Sequence, residues 1–220
     1  MNLSWLMIIK SSHPMSSVGW TRAELQSLLM PKLMGKGTNM PHIHTAPNQH
    51  DHTVTGYVIR TDGDQPRALL HVHKKLGKLL PPGGHVELDE TPWAAMLHEL
   101  REETGYDTNQ LSVLQPTLRL HQAEMPEVTL HPQPLLMNTH DITPEHYHSD
   151  TCYALVVQEG PRHELAAGES TDVRWLTRDE IVALSSEHIW DNTRASYLSL
   201  FDRFLDEWEL VPASEFSAGK

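Results

Sequence analysis

Three glutamates are spaced so that a helix would place them on one side. Glu99, Glu102 and Glu103 occupy positions i, i+3 and i+4, so their carboxylates would project towards a common point. Hard divalent cations such as Mg²⁺ prefer oxygen ligands, often with a substrate phosphate among them. The spacing therefore predicts a site for a divalent cation and a phosphate, although a solvated helix face beside Arg101 and His98 would show the same pattern.

The segment around these glutamates has the local signals of a tight turn followed by a helix. Thr91-Pro92-Trp93 begins the helix, with proline in its first turn, and Gly105 follows Thr104 as a C-terminal stop. Upstream, the apolar stretch from Leu79 to Val86 is interrupted by two prolines and two glycines. This composition predicts a sharp turn where the backbone approaches another group closely.

The turn and the helix together resemble the Nudix box. The box is Gly, five residues, Glu, seven residues, then Arg-Glu-apolar-any-Glu-Glu-any-Gly-apolar. The chain has Gly84, five residues, Glu90, seven residues and His98-Glu99-Leu100-Arg101-Glu102-Glu103-Thr104-Gly105-Tyr106, which departs from the box at one defining position. The resemblance implies a Nudix-type α/β/α sandwich with a mixed β-sheet. It also implies hydrolysis of the diphosphate linkage of a nucleotide or nucleoside diphosphate derivative, with Mg²⁺ or Mn²⁺ as cofactor.

The resemblance assigns metal and catalytic roles to the acidic residues of the box. It implies that Glu99, Glu102 and Glu103 bind the metal, with a backbone carbonyl of the turn at Gly84 as a further ligand. Glu90 would be a supporting carboxylate in the same catalytic set. The attacking group would be a water molecule, activated by the metal and by a glutamate.

The resemblance leaves the general base open and suggests only a few substrate contacts. The base would be Glu99 or a downstream acid, for which Glu169 is the candidate, although Glu169 also fits an exposed loop acid. His71 and His73 end the strand just upstream of the box, where substrate phosphates would lie. With Gly83 of the turn and Glu169, these histidines form the predicted substrate-binding set.

One position departs from the box, because His98 stands where the family has arginine. That arginine orients glutamates of the box by ion pairing. A histidine would still donate to Glu90 or Glu102 but would be charged only part of the time near neutral pH. We therefore expect this substitution to affect the rate and the pH profile.

The remaining sequence predicts one domain with two flanking segments. Residues 1–39 form an N-terminal extension with a short helix near 21–30, and whether this extension belongs to the natural protein stays open. Residues 40–212 form the Nudix domain, including a C-terminal helix, and residues 213–220 form a flexible tail. The predicted strands are Val54–Arg60, Ala68–His73, Leu111–Leu120, Leu135–Thr139, Tyr153–Gln158 and Val173–Leu176. The later predicted helices are Asp179–Ser185 and Ala195–Glu209.

Histidine is unusually frequent, with 16 residues in the chain. Pairs spaced two apart would face the same side of a strand, so each pair could begin a zinc or iron site. These pairs are His42/His44, His50/His52, His71/His73 and His146/His148. No third and fourth ligand follow at a recognisable spacing, which favours polar surface or substrate contact. The segment from His146 to Asp150 is interpreted as a polar loop that leads into a strand.

Composition excludes several classes of partner. The formal net charge of −12 repels polymeric nucleic acid, whose binding requires clustered Lys and Arg. The apolar run from Leu3 to Ile9 is too short to span a membrane, so no membrane partner is expected. A single cysteine, Cys152, excludes an internal disulfide and makes the cytoplasm the default location. The expected partner is a small diphosphate substrate, and a homodimer stays open.

Three rival functions remain. A catalytically weak Nudix domain that senses a nucleotide would normally have lost box glutamates, which are retained here. A diphosphate isomerase on the same fold would need an acid and a cysteine nearby, and Cys152 is isolated in an apolar strand. A histidine-rich metal-binding protein would need ligand sets that the spacing does not supply. The region about sixteen residues past the box, Leu120–Ala123, contains neither the proline nor the tyrosine that would indicate ADP-ribose or dinucleoside polyphosphates.

Overall fold

A computed structural model describes residues 46–219. The helix expected near residues 21–30 and the pair His42/His44 lie outside the described residues. The described part has a mixed nine-stranded sheet at its centre, with one apolar core on each face. This architecture confirms the predicted α/β sandwich. Between residues 46 and 219, no helix combines the length and the apolar character needed to cross a bilayer.

The elements follow one another in the order expected for strands mixed with a few helices. The strands are β1 (Gln49–Arg60), β2 (Arg67–Val72), β3 (Leu79–Leu80), β4 (Gly83–His85), β5 (Leu111–Gln115), β6 (Leu136–Thr143), β7 (His146–Val157), β8 (Val173–Thr177) and β9 (Glu209–Pro212). The helices are α1 (Pro92–Thr104), α2 (Arg178–Ala183), α3 (Asp191–Ser199) and α4 (Leu205–Glu207). A π-helical segment, Leu200–Phe204, joins α3 to α4.

β1 lies in the middle of the sheet, between β7 on one side and β2 and β4 on the other, and contributes side chains to both cores. It pairs in parallel with β7 along its whole length and antiparallel with β2 and β4. Val54 and Val58 point to the core that contains α1, whereas Tyr57 and Ile59 point to the core that contains α2 and α3. Because side chains alternate along a strand, each face of β1 serves a different layer.

The helix α1 forms where the sequence predicts it. The Thr91 hydroxyl accepts a hydrogen bond from the Ala94 N–H at 3.1 Å and caps the first turn. At the other end, Gly105 adopts φ 74°, a left-handed conformation that glycine takes without steric cost, and its N–H donates to the Arg101 carbonyl. Trp93 and Met96 are fully buried against the sheet, which fixes the rotation of the helix and so the direction of its glutamates.

Two predicted elements have different bounds in the structure. The strand expected over Leu111–Leu120 ends at Gln115, because Pro116 has no N–H with which to continue the ladder. The helix expected over Ala195–Glu209 begins earlier, at Asp191, and ends before Glu209, where β9 pairs with β5. Local periodicity did not indicate β9, since its formation depends on a long-range partner.

The segment from His146 to Asp150 is a strand and not the polar loop that the sequence suggested. β7 begins at His146, and the side chains of His146, His148 and Asp150 are buried. The polar composition misled the prediction because this end of β7 lies between β1 and β6. Two neighbouring strands satisfy its backbone and cover its side chains.

The C-terminal segment is packed against the domain and not the flexible tail that was expected. Ala213 is fully buried, and the Phe216 ring lies 6.3 Å from the Trp93 ring, measured between centroids. The Thr91 hydroxyl donates to the Ala218 carbonyl. The Phe216 ring and the Ala218 carbonyl therefore attach residues 213–219 to the start of α1. The sequence of this short segment does not predict these contacts.

Candidate active site

The turn before β4 and the helix α1 bring a backbone N–H to a buried carboxylate. The Gly83 N–H donates to Glu103 Oε2 at 2.8 Å. A Cβ on the next residue, Gly84, would overlap the carboxylate of Glu99. The two glycines predicted that the backbone approaches another group closely, and the structure confirms this. The groups that lie against the Gly83–Gly84 backbone are the carboxylates of Glu99 and Glu103.

Burial raises the proton affinity of both of these glutamates. Desolvation is the main reason why the pKa of Glu99 rises to about 7, and the charge of His98 partly opposes it. Desolvation also raises the pKa of Glu103 to about 8, against the stabilising N–H of Gly83. A divalent cation beside them would favour the ionised forms, because it supplies the positive charge that these carboxylates lack.

Glu102 is placed differently from its two neighbours. Its side chain is 47% exposed, and its Oε1 lies 3.2 Å from Nε2 of His98. The other ring nitrogen of His98 lies 3.2 Å from Oε1 of Glu90. Burial lowers the pKa of His98, but the hydrogen bonds and charges of Glu102 and Glu90 outweigh this effect and raise it overall. His98 thus bridges two box glutamates.

The three glutamates of α1 do not converge on one point in this structure. Glu99 and Glu103 face the glycine turn, whereas Glu102 turns to His98 and solvent. Within residues 46–219, three potential ligand side chains come together elsewhere, at Asp51, His85 and His148. The helical spacing therefore placed the glutamates on one side of α1 without fixing where each carboxylate points.

Glu169 lies beside the box glutamates. The loop that carries it is attached to the end of α1, since the Ala166 N–H donates to the Glu102 carbonyl at 2.8 Å. It is also attached to the end of β2, since the Ser170 hydroxyl donates to the Val72 carbonyl at 2.7 Å. The Glu169 side chain is close enough to share a hydrogen bond with Glu103, and this contact raises the pKa of Glu103 further. Glu169 is half-buried and is not the exposed loop acid that the sequence also allowed.

The two histidines of the predicted substrate set differ in position. His71 is buried on β2 with its Nδ1 3.8 Å from Glu103 Oε1, and burial together with the charge of His73 lowers its pKa to about 4. It is therefore neutral at physiological pH. His73 follows the end of β2, and its Nδ1 accepts the Leu76 N–H in a turn. His71 therefore lies next to Glu103, whereas His73 lies in the turn that follows β2.

The structure contains a second polar cluster, in which the pair His146/His148 meets Asp51 and His85. The sequence did not indicate this cluster. The side chains that this pair meets lie on two other strands, Asp51 on β1 and His85 on β4. The available signal was the alternation of His and Asp along two segments, but only the strand register shows that they meet. Cys152 is buried, and burial raises the pKa of its thiol, which fits the predicted structural role.

Comparisons with known proteins agree with the motif. The model of the NUDIX domain family matches residues 50–199. A MutT-like protein of Streptomyces ambofaciens is 32% identical over 145 residues, which are 65% of this chain and 74% of that protein.

Two solved structures share the fold. A NUDIX family hydrolase from Clostridium perfringens is 26% identical with a TM-score of 0.58, over 69% of this chain and 96% of its own. The Ap4A hydrolase of C. elegans, at 16% identity, has a TM-score of 0.52 over 71% of this chain and 99% of its own. On the family match, which covers more than half of the sequence, this chain belongs to the Nudix hydrolase family.

Proposed function

We propose that this Nudix hydrolase cleaves the diphosphate linkage of a small nucleotide or nucleoside diphosphate derivative, with Mg²⁺ or Mn²⁺ as cofactor. The observation that supports the proposal is the packing of Glu99 and Glu103 against the Gly83–Gly84 turn, with Glu169 beside them. Carboxylates that lie close together in a partly buried position suit a hard dication, which prefers oxygen ligands.

The residues that would hold the cation are Glu99, Glu102 and Glu103, with a backbone carbonyl at Gly84. The cation would offset the repulsion among the carboxylates and polarise a phosphoryl oxygen of the substrate. Glu102 lies on the exposed side of this set, tethered to His98 at 3.2 Å. Its exposure leaves it free to turn towards a bound cation, whereas Glu103 is already positioned by the Gly83 N–H.

A glutamate would also take the proton of the attacking water. Glu99 and Glu169 are the two candidates, since each lies near Glu103, whereas Glu103 itself already accepts the Gly83 N–H. His71 borders the same place as a neutral imidazole, which suits a hydrogen bond to a phosphate oxygen or to the water. Glu90 supports the set from outside by holding Nδ1 of His98.

The test is a panel of nucleotides assayed for cleavage of the pyrophosphate bond. Nucleoside triphosphates, nucleoside diphosphate sugars, ADP-ribose and dinucleoside polyphosphates would be incubated with the protein and Mg²⁺. Hydrolysis in water labelled with ¹⁸O would place the label on a phosphate product, because water attacks phosphorus. Turnover of at least one compound with label on phosphate supports the proposal. Tight binding of a nucleotide without turnover would favour the alternative, a nucleotide sensor.

A further inference from the structure

Four polar side chains from three strands meet on the face of the sheet that lies away from α1. They are Asp51 of β1, His85 of β4, and His146 and His148 of β7, and we call them the histidine cluster. The register explains their meeting, because Asp51 lies beside His148 in the parallel pair of β1 and β7. Thr53, two residues further along β1, lies opposite His85.

The distances within the histidine cluster suit a metal ion. One potential ligand atom each from Asp51, His85 and His148 lies within 4.8 Å of the others. Ligand atoms bound to zinc at about 2.1 Å are about 3.4 Å apart in a tetrahedron, so small side-chain rotations would close the set. Nε2 of His146 lies 3.1 Å from Oδ2 of Asp51 but outside the group of three, so the His146 side chain would have to rotate towards the ion to supply a fourth ligand.

The donor atoms distinguish this cluster from the acidic site. Imidazole nitrogens suit zinc and related transition metals, whereas Mg²⁺ prefers oxygen. The Asp51 carboxylate is fully buried, and a dication beside it would compensate for the loss of hydration. We propose that the histidine cluster binds one divalent transition-metal ion of the zinc class, through Asp51, His85, His148 and His146.

The sheet separates this site from the box glutamates. Gly84 faces Glu99 on the α1 side, and His85, the next residue of β4, faces Asp51 on the other side. The corresponding alternation in β1 places Val54 in the core with α1 and leaves Asp51 and Thr53 on the opposite face. A metal in the histidine cluster would connect β1, β4 and β7 and would not replace the cation of the acidic site.

The experiment measures zinc binding by the full chain in the presence of excess Mg²⁺. Protein stripped with a chelator would be titrated with Zn²⁺ by calorimetry, and with Co²⁺ to record its visible absorption. We expect one Zn²⁺ per chain and the intense Co²⁺ bands of four-coordinate geometry. His148→Gln and Asp51→Asn should each weaken Zn²⁺ binding by about 10-fold or more, because loss of a ligand should cost at least as much as loss of a group that only orients a ligand.

Two variants serve as controls. His52→Gln changes an exposed histidine next to Asp51 and should leave Zn²⁺ affinity unchanged, as should Glu103→Gln on the other face. Zinc affinity that is equal in His148→Gln and the parent overturns the proposal, as does affinity lost only in Glu103→Gln. If the cluster variants do not fold, the parent protein alone tests the proposal. No Zn²⁺ uptake by the parent, or a weak Co²⁺ spectrum typical of octahedral geometry, would also overturn the proposal.

Discussion

The two faces of the central sheet carry polar sites of opposite character. On the α1 face, the carboxylates of Glu99, Glu103 and Glu169 lie beside a glycine turn that is partly open to solvent. On the other face, histidines surround the buried Asp51. The short strand β4 contributes to both, because its consecutive residues point in opposite directions. One strand can therefore position two chemically distinct sites without a shared ligand.

The difference lies in how each carboxylate is compensated. Glu103 accepts the Gly83 N–H, but burial first, and then the charges of Glu99 and Glu169, raise its pKa. Asp51 lies 3.1 Å from Nε2 of His146 and 3.6 Å from Nε2 of His85. In the proposed function, an added cation would compensate the carboxylates of the acidic face, whereas on the histidine face imidazole groups already surround the carboxylate.

The largest effect should come from Glu103→Gln. The amide can still accept the Gly83 N–H, so the fold should persist, but the negative charge that would hold the cation is lost. We expect kcat/KM for the best substrate to fall roughly 100-fold or more. Glu87→Gln, which changes an exposed glutamate in the loop before α1, is the matched control and should retain full activity. Equal loss in both variants would contradict a specific role for Glu103.

A smaller effect should follow from Gly84→Ala. The new Cβ would overlap the end of the Glu99 side chain, which can move away, so the protein should fold with Glu99 displaced. We expect kcat to fall roughly 10- to 100-fold, the scale seen when a reacting group is misplaced by about 1 Å. Gly160→Ala adds a methyl group in open space and should have no effect on kcat. An unchanged rate in Gly84→Ala would show that the close approach is not needed.

The smallest effect should come from His98→Arg. Contacts to Glu102 and Glu90 raise the pKa of His98, so its positive charge is present at acidic pH and is lost as the pH rises through that raised value. Arginine keeps its charge throughout. We expect the variant to match the parent at low pH and to exceed it about two- to five-fold at about pH 8.5. Superimposable pH–rate profiles would show that His98 does not tune the box.

The acidic site could be predicted from the sequence because its signals are local. Helical spacing, the helix start at Thr91-Pro92-Trp93 and the stop at Gly105 all lie within one turn and one helix, and each was found where it was expected. The orientation of Glu102 could not be predicted in this way, because rotamers depend on neighbours such as His98. The roles of the individual box residues remain predictions.

The histidine cluster could not be assembled from the sequence because it depends on register. Asp51 and His148 are almost a hundred positions apart, and their adjacency follows only from the pairing of β1 with β7. Burial of polar residues at the start of β7 also contradicted the usual association of polar segments with loops. The β9 strand was missed for the same reason, since β5 specifies it from a distance.

The dependence of hydrolysis on a hard divalent cation is the most direct test of the acidic site. Metal-stripped protein would be assayed with its best diphosphate substrate while Mg²⁺ is titrated from zero. We predict no turnover without added metal and saturable activation by Mg²⁺ in the parent, with little activation in Glu103→Gln. Turnover at the full rate in the presence of chelator, or equal activation of the parent and Glu103→Gln, would contradict the account.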